Sequence, residues 1–225
     1  MSQIPAITTD QMREVDRIMV EDLGIELMQM MENAGSNLAA LATERYSPSS
    51  VTVLAGPGGN GGGGLTAARH LANRGIRVSV TLTKPIDEMT PVPAHQARIL
   101  EAMGVPSTDD PADGDLVIDA LVGYSLTGDP RGRAADLIHW ANQQSAVLAL
   151  DTPSGLDTTT GHIGDPCIRA DATMTLAMPK IGLLKAPEVA GDLYLADISV
   201  PPSVYQAFGL DVGDLFATGS VAKVG

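Results

Sequence analysis

The sequence predicts an α/β fold: a mainly parallel sheet between two layers of helices, an αβα sandwich, preceded by two additional helices. Two observations carry this. Short aliphatic and β-branched runs alternate with amphipathic helical stretches along most of the chain. Strands that alternate with helices argue for a parallel sheet covered on both faces. The first strand, Val51–Ala55, stops at Gly56–Gly64, where eight of nine residues are Gly or Pro and Asn60 is the exception. Strand, glycine turn and helix together leave bare backbone N–H groups where an anion can sit.

Thr8 and Gln11 have capping-box spacing, and Met12, Val15, Ile18 and Met19 follow at helical period, with Gly24 placed as a C-terminal cap. A second helix is expected from about Glu26 to Tyr46, its apolar face being Leu27, Met30, Met31, Ala34, Leu38 and Leu41. Glu32 and Asn33 on that helix read as solvated polar positions. After Val51–Ala55 a helix is expected from about Gly63 to Asn73, closed by Gly75. A strand at Arg77–Thr83 and a helix at Pro93–Met103 come next. Asp115–Asp119 is a short buried strand, Arg133–Gln144 a helix and Ala146–Leu150 another apolar strand. Ala172–Ala177 and Asp192–Ile198 complete the set.

The 225 residues fit a single domain spanning 1–225, with 44% hydrophobic residues for a sizeable core and only 3% aromatics, so packing is aliphatic. A net charge of −13 argues against nucleic-acid partners, which need a basic face. Cys167 is the one cysteine, which excludes an intrachain disulfide and suits a reducing, cytoplasmic location; it reads as a small packing residue. The N-terminus lacks a signal-peptide layout, and no apolar run is long enough for a membrane span. His70, His95, His139 and His162 have no metal-ligand spacing.

The glycine stretch matches G-x-G-x-x-G at Gly56, Gly58 and Gly61. The following strand lacks the acid that holds a ribose hydroxyl in a dinucleotide site. Gly64 is followed by Leu65 and Thr66, so the lysine of a P-loop is missing too. Open α/β sheets bind ligands beyond the carboxyl ends of their strands. Three such ends carry unusual residues: the glycine loop with Asn60, Asp119 with the Gly123–Asp129 loop, and Asp151 with Ser154. A lone Asp at a strand end is ordinarily a turn or helix cap. Together, two carboxylates and an amide beside an N–H-rich loop make an oxygen cluster suited to a hard cation next to an anionic ligand.

Five ordered motifs resemble the YjeF N-terminal family, the NAD(P)H-hydrate epimerases: Met31–Gly35 (MENAG), Gly56–Gly64, Ile118–Gly123, Leu150–Asp157 and Pro179–Leu183. The resemblance runs from about Thr9 to Pro201. It implies a Rossmann-like, commonly dimeric protein that interconverts the R and S epimers of NADHX and NADPHX, dinucleotides hydrated at C6 of the dihydronicotinamide. The S epimer would pass to a dehydratase, which for this chain would be a separate protein. The resemblance implies a potassium ion held by Asn60, Asp119 and Ser154. It implies substrate contacts from Gly58, Gly59, Asn60, Gly61, Gly62 and Gly63, and from Gly123, Tyr124, Ser125, Leu126, Thr127, Gly128 and Asp129. Asp151 would be the catalytic acid or base. Lys180 and Lys84 would add charge beside the diphosphate; the ordinary reading of each is a surface residue.

The chain departs from the family pattern at Gly59 and Gly63, where the family has Asn and Asp, and at Ser199, where it usually has Gly. The two glycines keep the main-chain donors, discard the side chains and make the loop more costly to order. A second reading is therefore a nucleotide-binding or scaffold module of the same fold without turnover.

Overall fold

The computed structural model describes residues 5–210 and 213–224. Helix α1 (Thr9–Arg17) opens with the expected capping box. The Thr8 hydroxyl accepts from the Gln11 N–H at 3.2 Å, and the Gln11 side chain accepts from the Thr8 N–H at 2.9 Å. Instead of running unbroken to Gly24, the helix widens into a π-turn over Ile18–Asp22, and Gly24 ends it at φ +69°. Helix α2 (Leu27–Tyr46) follows.

The sheet is built from β1 (Ser50–Ala55), β2 (Arg77–Leu82), β3 (Leu116–Ala120), β4 (Val147–Leu150), β5 (Ala172–Leu176), β6 (Asp192–Ala196) and β7 (Val221–Lys223). Its order is β2-β1-β3-β4-β5-β6-β7, parallel throughout except for β7, which pairs antiparallel with β6. From β1 the chain first steps outward to β2 and then returns to β3 on the other side. The carboxyl ends of β1 and β3 therefore flank the topological switch point, where open sheets hold their ligands. Helices α3 (Gly59–Asn73), α4 (Pro91–Ala102) and α5 (Arg133–Ala141) cover the sheet, and the short α6 (Ile181–Lys185), α7 (Pro187–Ala190) and α8 (Pro202–Ala207) fill in around its later strands.

Alternating side chains send β1 to both layers. Val51, Val53 and Ala55 join α2 and α3 in the larger core, whereas Leu54 packs with Leu137, Ile138 and Ala141 of α5. The tail beyond Pro201, for which the sequence offers no periodic pattern, contributes α8 and β7. None of the described helices is long and apolar enough to cross a membrane.

The largest difference from the sequence-based expectation lies at the glycine stretch. The helix begins at Gly59, not near Gly63, so Gly59–Gly64 are its first turns rather than a loop. Four consecutive glycines are poor helix formers. Tertiary packing overrides that preference here. An added Cβ at Gly61 would overlap the Gly56 carbonyl, one at Gly64 would overlap Ala120 on β3, and one at Gly56 would overlap the Leu121 carbonyl. Only bare backbone lets the helix start settle into the notch between β1 and β3.

Candidate active site

A cavity of about 470 Å³ opens at the switch point. Its floor is the start of α3 (Pro57, Gly58, Gly59, Asn60) and the segment after β3 (Leu121–Ser125). Asp151 follows β4, Leu176 and Lys180 follow β5, and Ile198 follows β6. Met12 and Asp16 of α1 and Leu27, Met30 and Met31 of α2 form an apolar wall across from them. A larger open groove of about 720 Å³ lies beyond the edge strand β2. It holds Lys84, which is exposed and pairs with Glu88 at 3.1 Å, and mixed surface charges rather than converging buried groups. The switch-point cavity is the better candidate on that chemistry.

Asp151 stands at its centre. The chain turns sharply after β4, with Asp151 at φ +66°, a conformation a non-glycine residue adopts only when its surroundings hold it there. The restraints are plain: Asp151 N–H donates to the Met174 carbonyl at 2.8 Å, and Oδ1 accepts from Leu176 N–H at 3.3 Å. Oδ2 accepts from Tyr124 N–H at 3.2 Å. Oδ1 also forms an ion pair with Lys180 Nζ. Lys180 is fully buried, against the ordinary reading of a surface lysine; its other donors go to the Leu176 carbonyl at 2.9 Å and Thr175 Oγ1 at 3.3 Å. The main chain around Lys180 is pinned by the segment before α1: Ile7 N–H donates to the Pro179 carbonyl at 2.9 Å, and Ile181 N–H to the Ile7 carbonyl at 3.0 Å.

Asp119 and Ser154 form a second cluster, fully buried. Ser154 donates its hydroxyl to Asp119 Oδ1 at 2.7 Å and its N–H to Oδ2 at 2.8 Å, while its Oγ accepts from Val122 N–H at 2.9 Å. Burial pushes the Asp119 carboxyl up to about 6, against these hydrogen bonds, which favour the anion. Among the described residues no Lys, Arg or His pairs with it. Asn60, at the start of α3, has a buried Nδ2 without a hydrogen-bond partner among the described residues, and its side chain lies against Gly123.

Of the residues singled out from the sequence, the cavity brings together Gly58, Gly59, Asn60, Gly123, Tyr124, Ser125, Asp151 and Lys180. Gly61, Gly62 and Gly63 are buried within α3 and do not line it; Leu126, Thr127, Gly128 and Asp129 lie further along the loop after β3. Gly63 in particular faces the core. A Cβ there would come within 2.8 Å of Leu150 Cδ2 and 3.5 Å of Met31 Sδ. Leu150 occupies the space an acid at position 63 would need.

Sequence reasoning missed Asp16, whose Oδ2 accepts a hydrogen bond from the Tyr124 hydroxyl. A signal for it exists: Asp16 lies four residues after Met12 and three before Met19, a carboxylate on the buried stripe of α1. Glu32, read as a solvated position, is half-exposed and binds Arg69 and, at 2.8 Å, His70 Nε2.

The chain is similar to known proteins over most of its length. The family described as "YjeF-related protein N-terminus" matches residues 27–182, a span from α2 to the residues just after Lys180. An NAD(P)H-hydrate epimerase from Dehalogenimonas lykanthroporepellens is 47% identical, with 92% of this chain and 87% of that protein covered. One from Rhodopirellula baltica is 34% identical over 92% of this chain and 90% of its own length. A bifunctional NAD(P)H-hydrate repair enzyme Nnr from Hyperthermus butylicus is 42% identical over 81% of this chain, which spans only 36% of that longer protein. The crystal structure of yeast ynu0 superposes with a TM-score of 0.84 over 98% of this chain at 24% identity, a likeness of fold. With the family's match running from α2 through every strand end that bears Asn60, Asp119, Asp151 and Lys180, this chain belongs to the YjeF-related N-terminal family.

Proposed function

We propose that this protein is an NAD(P)H-hydrate epimerase, interconverting the R and S epimers of NADHX and NADPHX. The observation that carries the reading is Asp151, a strained, salt-bridged carboxylate lining a cavity at the switch point beside the N-terminus of α3. Its support is the family of epimerases to which the chain is similar over most of its length. The substrate's diphosphate would lie against the free N–H groups at the start of α3, where the helix dipole also favours negative charge. The hydrated nicotinamide ring would then lie against Asp151 and the apolar wall from α1 and α2. Epimerisation at C6 needs proton transfer to or from the hydroxyl as it leaves and re-adds. A positioned carboxyl contributes about 10²–10⁴-fold to such a step.

Asn60, Asp119 and Ser154 fit a potassium ion. Their donor set is one carboxylate, one amide and one hydroxyl, all oxygen and low in charge, which suits an alkali cation better than a divalent one. The buried Asp119 anion has no cationic side chain beside it among the described residues, a charge that a cation there would offset. A bound potassium ion would offset the Asp119 charge and hold the three strand-end segments together. A cytoplasmic homodimer working with a dehydratase activity that consumes the S epimer completes this reading; light scattering would check the dimer.

The test is chiral chromatography of NADHX incubated with the purified protein in potassium buffer. Epimer exchange should exceed the spontaneous rate, and Asp151→Asn should remove the excess while the protein stays folded. Potassium-dependent thermal stabilisation by NADP without any excess exchange would replace the epimerase with a binding module.

A further inference from the structure

We propose that Asp16 is a second catalytic carboxyl of this site, exchanging a proton with the C6 hydroxyl on the face of the ring opposite Asp151. This rests on the epimerase reading. Asp16 lines the same cavity as Asp151 but comes from a different wall, α1 rather than the end of β4. The other acids of α1 and its π-turn are accounted for at the surface: Asp10 pairs with Arg13, and Glu14, Glu21 and Asp22 share Arg17. Asp16 is aimed inward and its hydrogen-bond partner is the neutral Tyr124 hydroxyl. Tyr124 spans both carboxyls, with its side-chain O–H on Asp16 and its main-chain N–H on Asp151 Oδ2.

The two carboxyls live in different surroundings. Asp151 is salt-bridged to buried Lys180. Among the described residues Asp16 has no such partner, and burial raises its carboxyl above the ordinary carboxylate range. The Tyr124 hydrogen bond and the charge of Lys180 act against that rise, and the charge of Asp151 adds to it. One carboxyl that favours its proton facing one that is ion-paired is how a single site holds an acid and a base. An epimerase needs such a pair, because the hydroxyl leaves from one face and water returns on the other.

Protonated Asp16 gives its proton to the departing hydroxyl, the C6–O bond breaks, water leaves, and the lone pair on the ring nitrogen forms a C6=N1 bond. Water adds to the opposite face, the new C6–O bond forms, N1 regains its lone pair, and the excess proton passes to the Asp151 carboxylate. One proton has moved from Asp16 to Asp151; exchange with solvent, or turnover in the reverse direction with the roles exchanged, restores the start.

Asp16→Asn keeps an acceptor for the Tyr124 hydroxyl and removes the acid. Epimer exchange should fall about 10²–10⁴-fold while NADP still stabilises the variant against heat. Tyr124→Phe removes a donor that favours ionised Asp16, so the alkaline limb of kcat against pH should move to higher pH. Asp16→Asn turnover within about threefold of the parent would overturn the proposal. So would an equal loss of NADP binding and of melting temperature in both variants, which would make the contact a strap between α1 and the loop. Should Asp16→Asn not fold, an unmoved alkaline limb in Tyr124→Phe decides against it. Absence of excess exchange by the parent protein overturns the epimerase reading and this inference with it; an active parent with an active Asp16→Asn overturns this inference alone.

Discussion

Ser199 shows how a single position can depart from a family pattern and stay in place. It sits at φ +71°, where glycine is favoured and an L side chain costs about 1–2 kcal/mol. Two hydrogen bonds hold it: Ser199 N–H donates to Asp197 Oδ1 at 2.7 Å, and its hydroxyl accepts from Asn33 Nδ2 at 2.6 Å. Ser199→Ala keeps the unfavourable backbone and loses the side-chain bond, whereas Ser199→Gly loses the bond and relaxes the backbone. Urea denaturation should therefore find Ser199→Gly more stable than Ser199→Ala by about 1 kcal/mol. Cys167 makes the opposite case. It is buried, and burial pushes its thiol up to about 12. At pH 8 a thiol reagent should label the native protein far more slowly than the denatured one; equal rates would show the site to be open. The sequence-based reading of Cys167 as a packing residue rests on the same burial that the structure contains. The burial of Lys180 was not legible, because nothing in Pro179-Lys180-Ile181 distinguishes a lysine aimed at a distant Asp151 from one in water.

The element that decides the site is α3, whose start is made of glycines used for close approach. Gly63 tests this, since a Cβ there meets Leu150 Cδ2 at 2.8 Å. Gly63→Ala should destabilise the protein by about 1–3 kcal/mol through overpacking. Adding Leu150→Val should recover part of that loss, a coupling that a double-mutant cycle reads directly; additive effects would show that the two side chains do not compete. Gly59, by contrast, has nothing within 4 Å of an added Cβ, so Gly59→Ala should be neutral or slightly stabilising. Strand, glycine turn and helix were legible in order and type. The start of α3 was not, because helix propensity is a local quantity and the contacts that wind Gly59–Gly62 into a helix come from Gly56, Val92 and Pro93. The π-turn at Ile18–Asp22 escaped for a related reason: its apolar spacing is that of an ordinary helix end.

Across the whole molecule, stability should follow the sheet order. β1, β3 and β4 lie inside the sheet and are almost wholly buried, whereas β2 and β7 are edges. Amide hydrogen exchange should be slowest in β1, β3 and β4 and fastest in β7; comparable protection in β7 would mean that the tail is fixed by more than its three-residue ladder. The parallel sheet was legible because strand and helix alternate in sequence, and the same alternation places the three site-bearing strand ends on one edge. The contribution of the N-terminal helices to that edge was not. Asp16 and Met12 reach the cavity only because Ile7 pairs with the chain on both sides of Lys180, and because Thr9 Oγ1 meets the hydroxyls of Thr158 and Thr159 at 2.8 and 2.6 Å. Those contacts join residues about 150 positions apart.

The glycine start of α3 also has a place in time. A helical turn of glycines cannot nucleate on its own, and the Ala120 side chain against which Gly64 packs is in place only once β3 has come alongside β1. During folding the glycine start of α3 is then expected to form after the central strands, and with it the cavity it floors. Perturbing Gly63 should then quicken unfolding and leave the refolding rate nearly unchanged, the kinetic mark of a contact absent from the transition state.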